Sequence, residues 1–212
     1  MPLKFPVLTL AAALAFSPLA ARAVDDAAFL VATQLLQKAE SSGEEGAIVA
    51  AVERWRALAA AEPAHPVLKA YAGSAVSMQA NTTLLPWRKM AFAEDGLAMI
   101  DKALAQLGPE HDSQRLAGTP ASLLVRFTAA STFLALPSMF NRGARGEDQL
   151  QAVLKHAGFD GASLGFKGAV WLRAGQQAAK EGRKDPARKF YEQLLAAKAP
   201  QAAVAQKLLA GL

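Results

Sequence analysis

The sequence predicts an all-α fold, and three observations carry that expectation. Apolar residues recur three and four apart along the chain, with no convincing alternating stretch that would mark a strand. The composition is 52% hydrophobic, rich in alanine and leucine and poor in isoleucine, which favours helix over sheet. Residues of matching size also recur at identical offsets near the two ends of the chain, the signature of a repeated helix pair. Helices are expected over 26–42, 46–61, 66–80, 88–107, 119–135, 146–157, 163–181, 186–197 and 200–211.

Ahead of the first helix, Met1 to Ala23 reads as a secretory signal. Lys4 supplies the positive start, Val7 to Phe16 is apolar apart from Thr9, and Pro18 breaks the helix before Ala21-Arg22-Ala23. The apolar run is shorter than the roughly 20 residues of a membrane span, so cleavage is expected rather than anchoring. The expected organisation is therefore a signal peptide over 1–23 and one domain over 24–212, periplasmic or secreted. Loss of Lys4 and Arg22 lowers the formal charge from +5 to +3, too small a balance to argue for a nucleic-acid partner. The chain has no cysteine, which excludes disulfides, thiol nucleophiles and thiolate metal sites.

Several boundaries carry their own chemistry. Thr119-Pro120 and Asp185-Pro186 each place a capping side chain before a first-turn proline. Gly43, Gly108, Gly158 and Gly182 stand where helices are expected to stop, and Pro63 and Pro66 punctuate the second connection.

The repeat is the more specific signal. From Leu35 the chain has Ala39, Gly46, Ala51, Trp55, Leu58 and Pro63; from Trp171 it has Gly175, Gly182, Ala187, Tyr191 and Leu194 in the same register. Small residues let paired helices approach and large ones fill the space beside them. Lys69 and Gly73 begin a second unit, whose second helix carries Gly96, Ile100 and Ala103 after an insertion of about eleven residues, Thr82 to Phe92. A third unit near 119–157 carries another insertion, Leu136 to Gly146, and a short last helix is expected as a cap.

Trp171, Gly175, Gly182, Ala187 and Tyr191 match the tetratricopeptide pattern, and the mature chain resembles the tetratricopeptide-repeat (TPR-like) family over most of its length. Pro66 to Leu107, followed by the Leu136-to-Arg142 segment, looks like a group of exported bacterial repeat proteins of unassigned activity. The resemblance implies a right-handed solenoid of stacked antiparallel helix pairs, about four repeats plus the C-terminal cap. Its concave face would bind peptides or protein segments, and it implies no catalytic residues. Ser42 and Ala178 depart from the pattern by replacing the usual groove-side tyrosine.

The two insertions look alike: Leu85-Pro86-Trp87-Arg88-Lys89 with Phe92, and Leu136-Pro137-Ser138-Met139-Phe140-Asn141-Arg142 with Arg145. Two readings are open. Trp87, Arg88, Lys89, Phe140, Arg142 and Arg145 form an aromatic and cationic patch for an acidic partner, or Leu85, Trp87, Met139 and Phe140 fold inward as a local core with the cations solvated. Arg142 and Arg145 also flank a glycine-rich turn that is a weak anion-site signal. Register adds Tyr71, Gln79 and Asn81 as groove-side candidates, and assigns Trp55, Trp171 and Tyr191 to packing.

Nothing in the chain composes a reaction. His65, His111 and His156 lie near helix ends, and His111-Asp112 reads as a loop turn rather than an acid–base pair. No Gly-x-Ser-x-Gly elbow occurs. No enzyme, cofactor or metal is expected. The expected function is a protein-binding scaffold module of the cell envelope, whose partner is another protein or peptide segment, with no nucleic acid and no stable membrane span. The alternative is a small-molecule or lipid-binding accessory protein of a transport system.

Overall fold

The computed structural model describes residues 25–212, so the signal-type segment lies outside the described residues. The fold is all-α. Its helices are α1 (Asp26–Ser42), α2 (Glu45–Ala61), α3 (Pro66–Met78), α4 (Pro86–Ala105), a single turn α5 (Glu110–Ser113), α6 (Ala121–Ala135), α7 (Gly143–Leu154), α8 (Leu164–Lys180), α9 (Lys184–Ala196) and α10 (Ala202–Ala210). Two-residue strands, β1 (Arg115–Leu116) and β2 (Thr119–Pro120), pair antiparallel ahead of α6. Among the described residues no helix is long and apolar enough to cross a membrane.

Local chemistry accounts for most boundaries. Asp25 caps α1 by accepting from the Ala27 amide, and Gly43 closes it in the left-handed region, its N–H donating to the Ala39 carbonyl. Two expected caps are corrected. Thr119 lies in β2 and its hydroxyl meets that of Ser163, while Asp185 falls inside the first turn of α9, where its charge faces the positive helix end. The expected insertion over 82–92 is also mostly helix. Pro86, with its fixed φ, opens α4 two residues earlier than the pattern suggested, leaving only a 3₁₀ turn, Gln79–Thr82, and a short link before it.

The helices pack as successive pairs: α1 with α2, α3 with α4, α6 with α7, α8 with α9, and α10 against α9. Contacts between pairs run α2 to α3, α3 to α6, α4 to α6, α6 to α8 and α7 to α8. The second helix of every pair carries one motif, a small residue, a larger apolar one four later and an apolar one of any size three beyond: Ala51/Trp55/Leu58, Gly96/Ile100/Ala103, Gly146/Leu150/Val153 and Ala187/Tyr191/Leu194. All but Leu58 are buried. Gly146, which the sequence pattern puts at the end of an insertion, packs on Phe133 and Leu134 as the small residue of its unit.

Aromatic clusters tie the units together. Phe29, Trp55 and Tyr71 join α1, α2 and α3, with Trp55 stacked on Tyr71 at 4.5 Å and Phe29 edge-on to both. Phe127, Phe159, Phe166 and Trp171 link α6 to α8 edge-to-face. Each such pair adds about 0.5–1.5 kcal/mol beyond burial. Trp55, Trp171 and Tyr191 are all buried.

The crossing of α3 and α4 brings backbone against backbone. A methyl at Gly73 would lie 2.6 Å from the Gly96 carbonyl oxygen and 2.9 Å from Ile100; one at Gly96 would lie 2.7 Å from the Ser77 amide nitrogen. Backbone faces backbone, so a side chain there must push the helices apart. Gly73→Ala and Gly96→Ala are each expected to cost about 1–3 kcal/mol or more in urea unfolding. Gly46→Ala in α2, where nothing stands within 4 Å, is expected to be neutral or to stabilise by about 0.5–1 kcal/mol. Equal effects at the three sites would show that the crossing is not closely packed.

Candidate functional site

A large concavity opens among the described residues, a cleft of about 610 Å³. Its lining takes residues from the first helix of each of the four pairs: Glu40 of α1, Ser74, Ser77 and Met78 of α3, Ser131, Thr132 and Ala135 of α6, and Arg173 of α8. Its remaining lining comes from the opening turns of α4 and from the segments that follow α3 and α6. Pro86, Lys89, Met90 and Ala93 present one face of α4, spaced as a helix requires. Leu136, Pro137, Met139 and Phe140 follow α6, and Ala80 and Asn81 lie in the 3₁₀ turn after α3. A second hollow, near Glu147, Gln177 and Arg183, is only about 40 Å³ and holds little beyond solvent.

Polar order in the cleft comes from small hydroxyls. Thr132 Oγ1 donates to Ser74 Oγ at 3.0 Å, and Ser77 Oγ donates to the Ser74 carbonyl at 2.7 Å. Ser131 Oγ is buried without a partner. Three of the four methionines in the described residues, Met78, Met90 and Met139, border the same space. Methionine is flexible and polarisable, and suits surfaces that accept varied apolar shapes.

Glu40 and Arg173 are the distinctive charges. Desolvation raises the Glu40 pKa against the lowering effect of Arg173, and desolvation lowers that of Arg173 against the raising effect of Glu40. Glu40 lines the cleft and keeps an exposed surface. The two groups sense each other's charge without forming an ion pair, and among the described residues neither makes a hydrogen bond.

The sequence-predicted residues divide. Lys89, Asn81 and Phe140 line the cleft, so the two similar insertions do meet there. Trp87 is 67% exposed and does not fold inward; it and the exposed Arg88 lie outside the lining. Leu136 and Phe140 instead pack on a small core of Leu97, Ile100, Ala129 and Phe133. Arg142 and Arg145, expected as free cations, converge on Asp101 at 3.1 and 2.9 Å and lie over the Phe133 ring. One carboxylate shared by two guanidiniums answers half of their charge and ties both to α4, so they are not the free cations of an open anion site.

Tyr71 also needs correction as a groove-side residue. It is 9% exposed, held between Phe29 and Trp55, and burial raises its hydroxyl pKa. The reason is the burial of α3 on nearly every side, by α2, α4 and α6. Sequence reasoning missed Glu40 and Arg173. The available signal was that Arg173 is the only charge in α8 between Lys167 and Lys180.

Two of the histidines organise loops outside the cleft lining. His111 Nδ1 accepts from the Gly108 amide, and His156 Nδ1 accepts from the Gly158 amide while its Nε2 meets Asp112 at 3.2 Å. No group of three or more metal-ligating side chains occurs among the described residues. Comparison with protein-family models, curated proteins and solved structures finds no match.

A carboxyl whose pKa is raised on folding holds its proton more tightly in the native state. Its ionisation therefore opposes folding, and that penalty grows as pH rises from the ordinary carboxyl range through the raised pKa. Glu40→Gln is expected to unfold at the same or higher urea concentration than wild type at pH 7, with any advantage gone below about pH 4. A variant less stable at pH 7 would mean that Glu40 is favourably paired in the native state.

Proposed function

We propose that this protein is an exported helical-repeat module of the tetratricopeptide kind that holds a segment of another protein in the cleft, as a scaffold of the cell envelope and not as a catalyst. The observation that carries the reading is the composition of the cleft: the first helix of all four pairs contributes to one continuous concave lining. A surface assembled in this way suits an extended ligand, because successive helices meet successive residues. Lys89, Asn81 and Phe140 are the sequence-predicted residues placed to touch it. The repeated small–large motif supports the family resemblance, and the signal-type segment Met1 to Ala23 supports export.

A second reading has its own observation. The face of α4 and the segment after α6 wall the cleft, and about 610 Å³ falls in the roughly 300–1,000 Å³ range of small-molecule sites. A lipid or other small amphiphile bound for a transport system would fit the apolar side chains.

One substitution addresses both. Ala135 lines the cleft and is exposed, so Ala135→Trp fills the space without entering the core. Peptides selected from a displayed random library against the purified protein are expected to bind at least about tenfold more weakly to Ala135→Trp, with far-UV circular dichroism unchanged. Failure to select any peptide, together with a co-purifying small molecule seen by native mass spectrometry and lost in Ala135→Trp, would replace the first reading by the second.

A further inference from the structure

The cleft combines two kinds of lining that an apolar ligand cannot satisfy together. Met78, Met90, Met139 and Phe140 come from α3, α4 and the segment after α6, and offer adaptable apolar contact. Glu40 and Arg173 come from α1 and α8, from the first and last helix pairs. A guanidinium has five donors and a carboxylate two acceptor oxygens, and among the described residues none of these groups is hydrogen-bonded. Covering them with methyl groups would strip the remaining water from two charges and return nothing.

We propose that Glu40 and Arg173 form a charge-pair subsite for the bound segment, taking a lysine or arginine side chain against Glu40 and an aspartate or glutamate side chain against Arg173, while apolar residues of the same segment lie on the methionines and Phe140. This rests on the segment-binding reading above. The planar guanidinium fork matches a carboxylate in bidentate fashion, and Glu40 offers an ammonium its strongest acceptor in the cleft. The subsite also works by exclusion: a wholly apolar segment leaves both charges desolvated and unpaired, so it binds less well than one carrying the complementary pair. The lower pKa of Arg173 and the raised pKa of Glu40, each caused first by desolvation, agree with two charges already partly stripped of water.

The test uses the tightest peptide from the displayed library and its synthetic variants, read by fluorescence anisotropy against the whole purified protein. The selected peptides are expected to carry both a basic and an acidic residue beside an apolar stretch. Neutralising either one to glutamine is expected to weaken binding about tenfold or more. Glu40→Gln is expected to abolish the dependence on the peptide's base alone, and Arg173→Gln the dependence on its acid alone, with helicity retained in both. Peptides that bind equally well whatever their charge, yet still fail to bind Ala135→Trp, would overturn the subsite and leave the cleft reading standing. Peptide binding untouched by Ala135→Trp would overturn both.

Discussion

The crossing of α3 and α4 at Gly73 and Gly96 is the constraint on which the rest of the structure depends. The two backbones approach until carbonyl and amide groups take the places side chains would fill, and no other residue type fits without moving a helix. That approach lets Ile100 reach the floor of the pair and draws α4 against α6, where Ile100 joins Leu97, Ala129 and Phe133 in the small core that seats Leu136 and Phe140. The same device recurs elsewhere with a side chain in place of backbone: a methyl at Gly175 would fall on the Tyr191 ring, and one at Gly146 would lie 2.8 Å from Cγ of Leu134. Close pairs, repeated, stand the first helices side by side.

The cleft follows from that arrangement and from one added feature, the length of α4. Its opening turns, Pro86 to Ala93, extend past the repeat motif and become a wall in place of a loop. Asp101, lower on the same helix, gathers Arg142 and Arg145 and so anchors the start of α7 beside that wall. Exposed ion pairs contribute little on their own. Here the two arginines also lie over the Phe133 ring, which adds a packing role that a solvated cation would lack. Part of the positive charge at this edge thus holds the connection in place, while Arg88 and Lys89 stay exposed.

Legibility in the sequence tracked the range of the interactions involved. The long helices and the Gly43 stop were readable because periodicity and capping act within a few residues. The repeat register was readable wherever a bulky aromatic marked it, at Trp55 and Tyr191. It was also read at Gly96, Ile100 and Ala103, and missed at Gly146, Leu150 and Val153, where aliphatic residues make a pattern any amphipathic helix shares. Tyr71 looked like a groove residue because register alone fixes a face and not what covers it. Trp87 was weighed as local core because large apolar groups are usually buried, and it stands 67% exposed because the first turn of α4 projects beyond its neighbours' cover.

The sequence by itself determined the class of the fold and the positions of its long helices, since these follow from apolar spacing, glycine and proline placement, and small–large complementarity between helices adjacent in the chain. Only the tertiary structure decided which side chains share the cleft. Glu40 and Arg173 lie more than a hundred residues apart and belong to different pairs, and nothing local to either encodes their approach. It decided equally that Asp101 would claim two arginines from the other side of α6. Such meetings depend on how four pairs stack and on the lengths of the connections between them, quantities summed over the whole chain. A periodicity read a few residues at a time does not contain them.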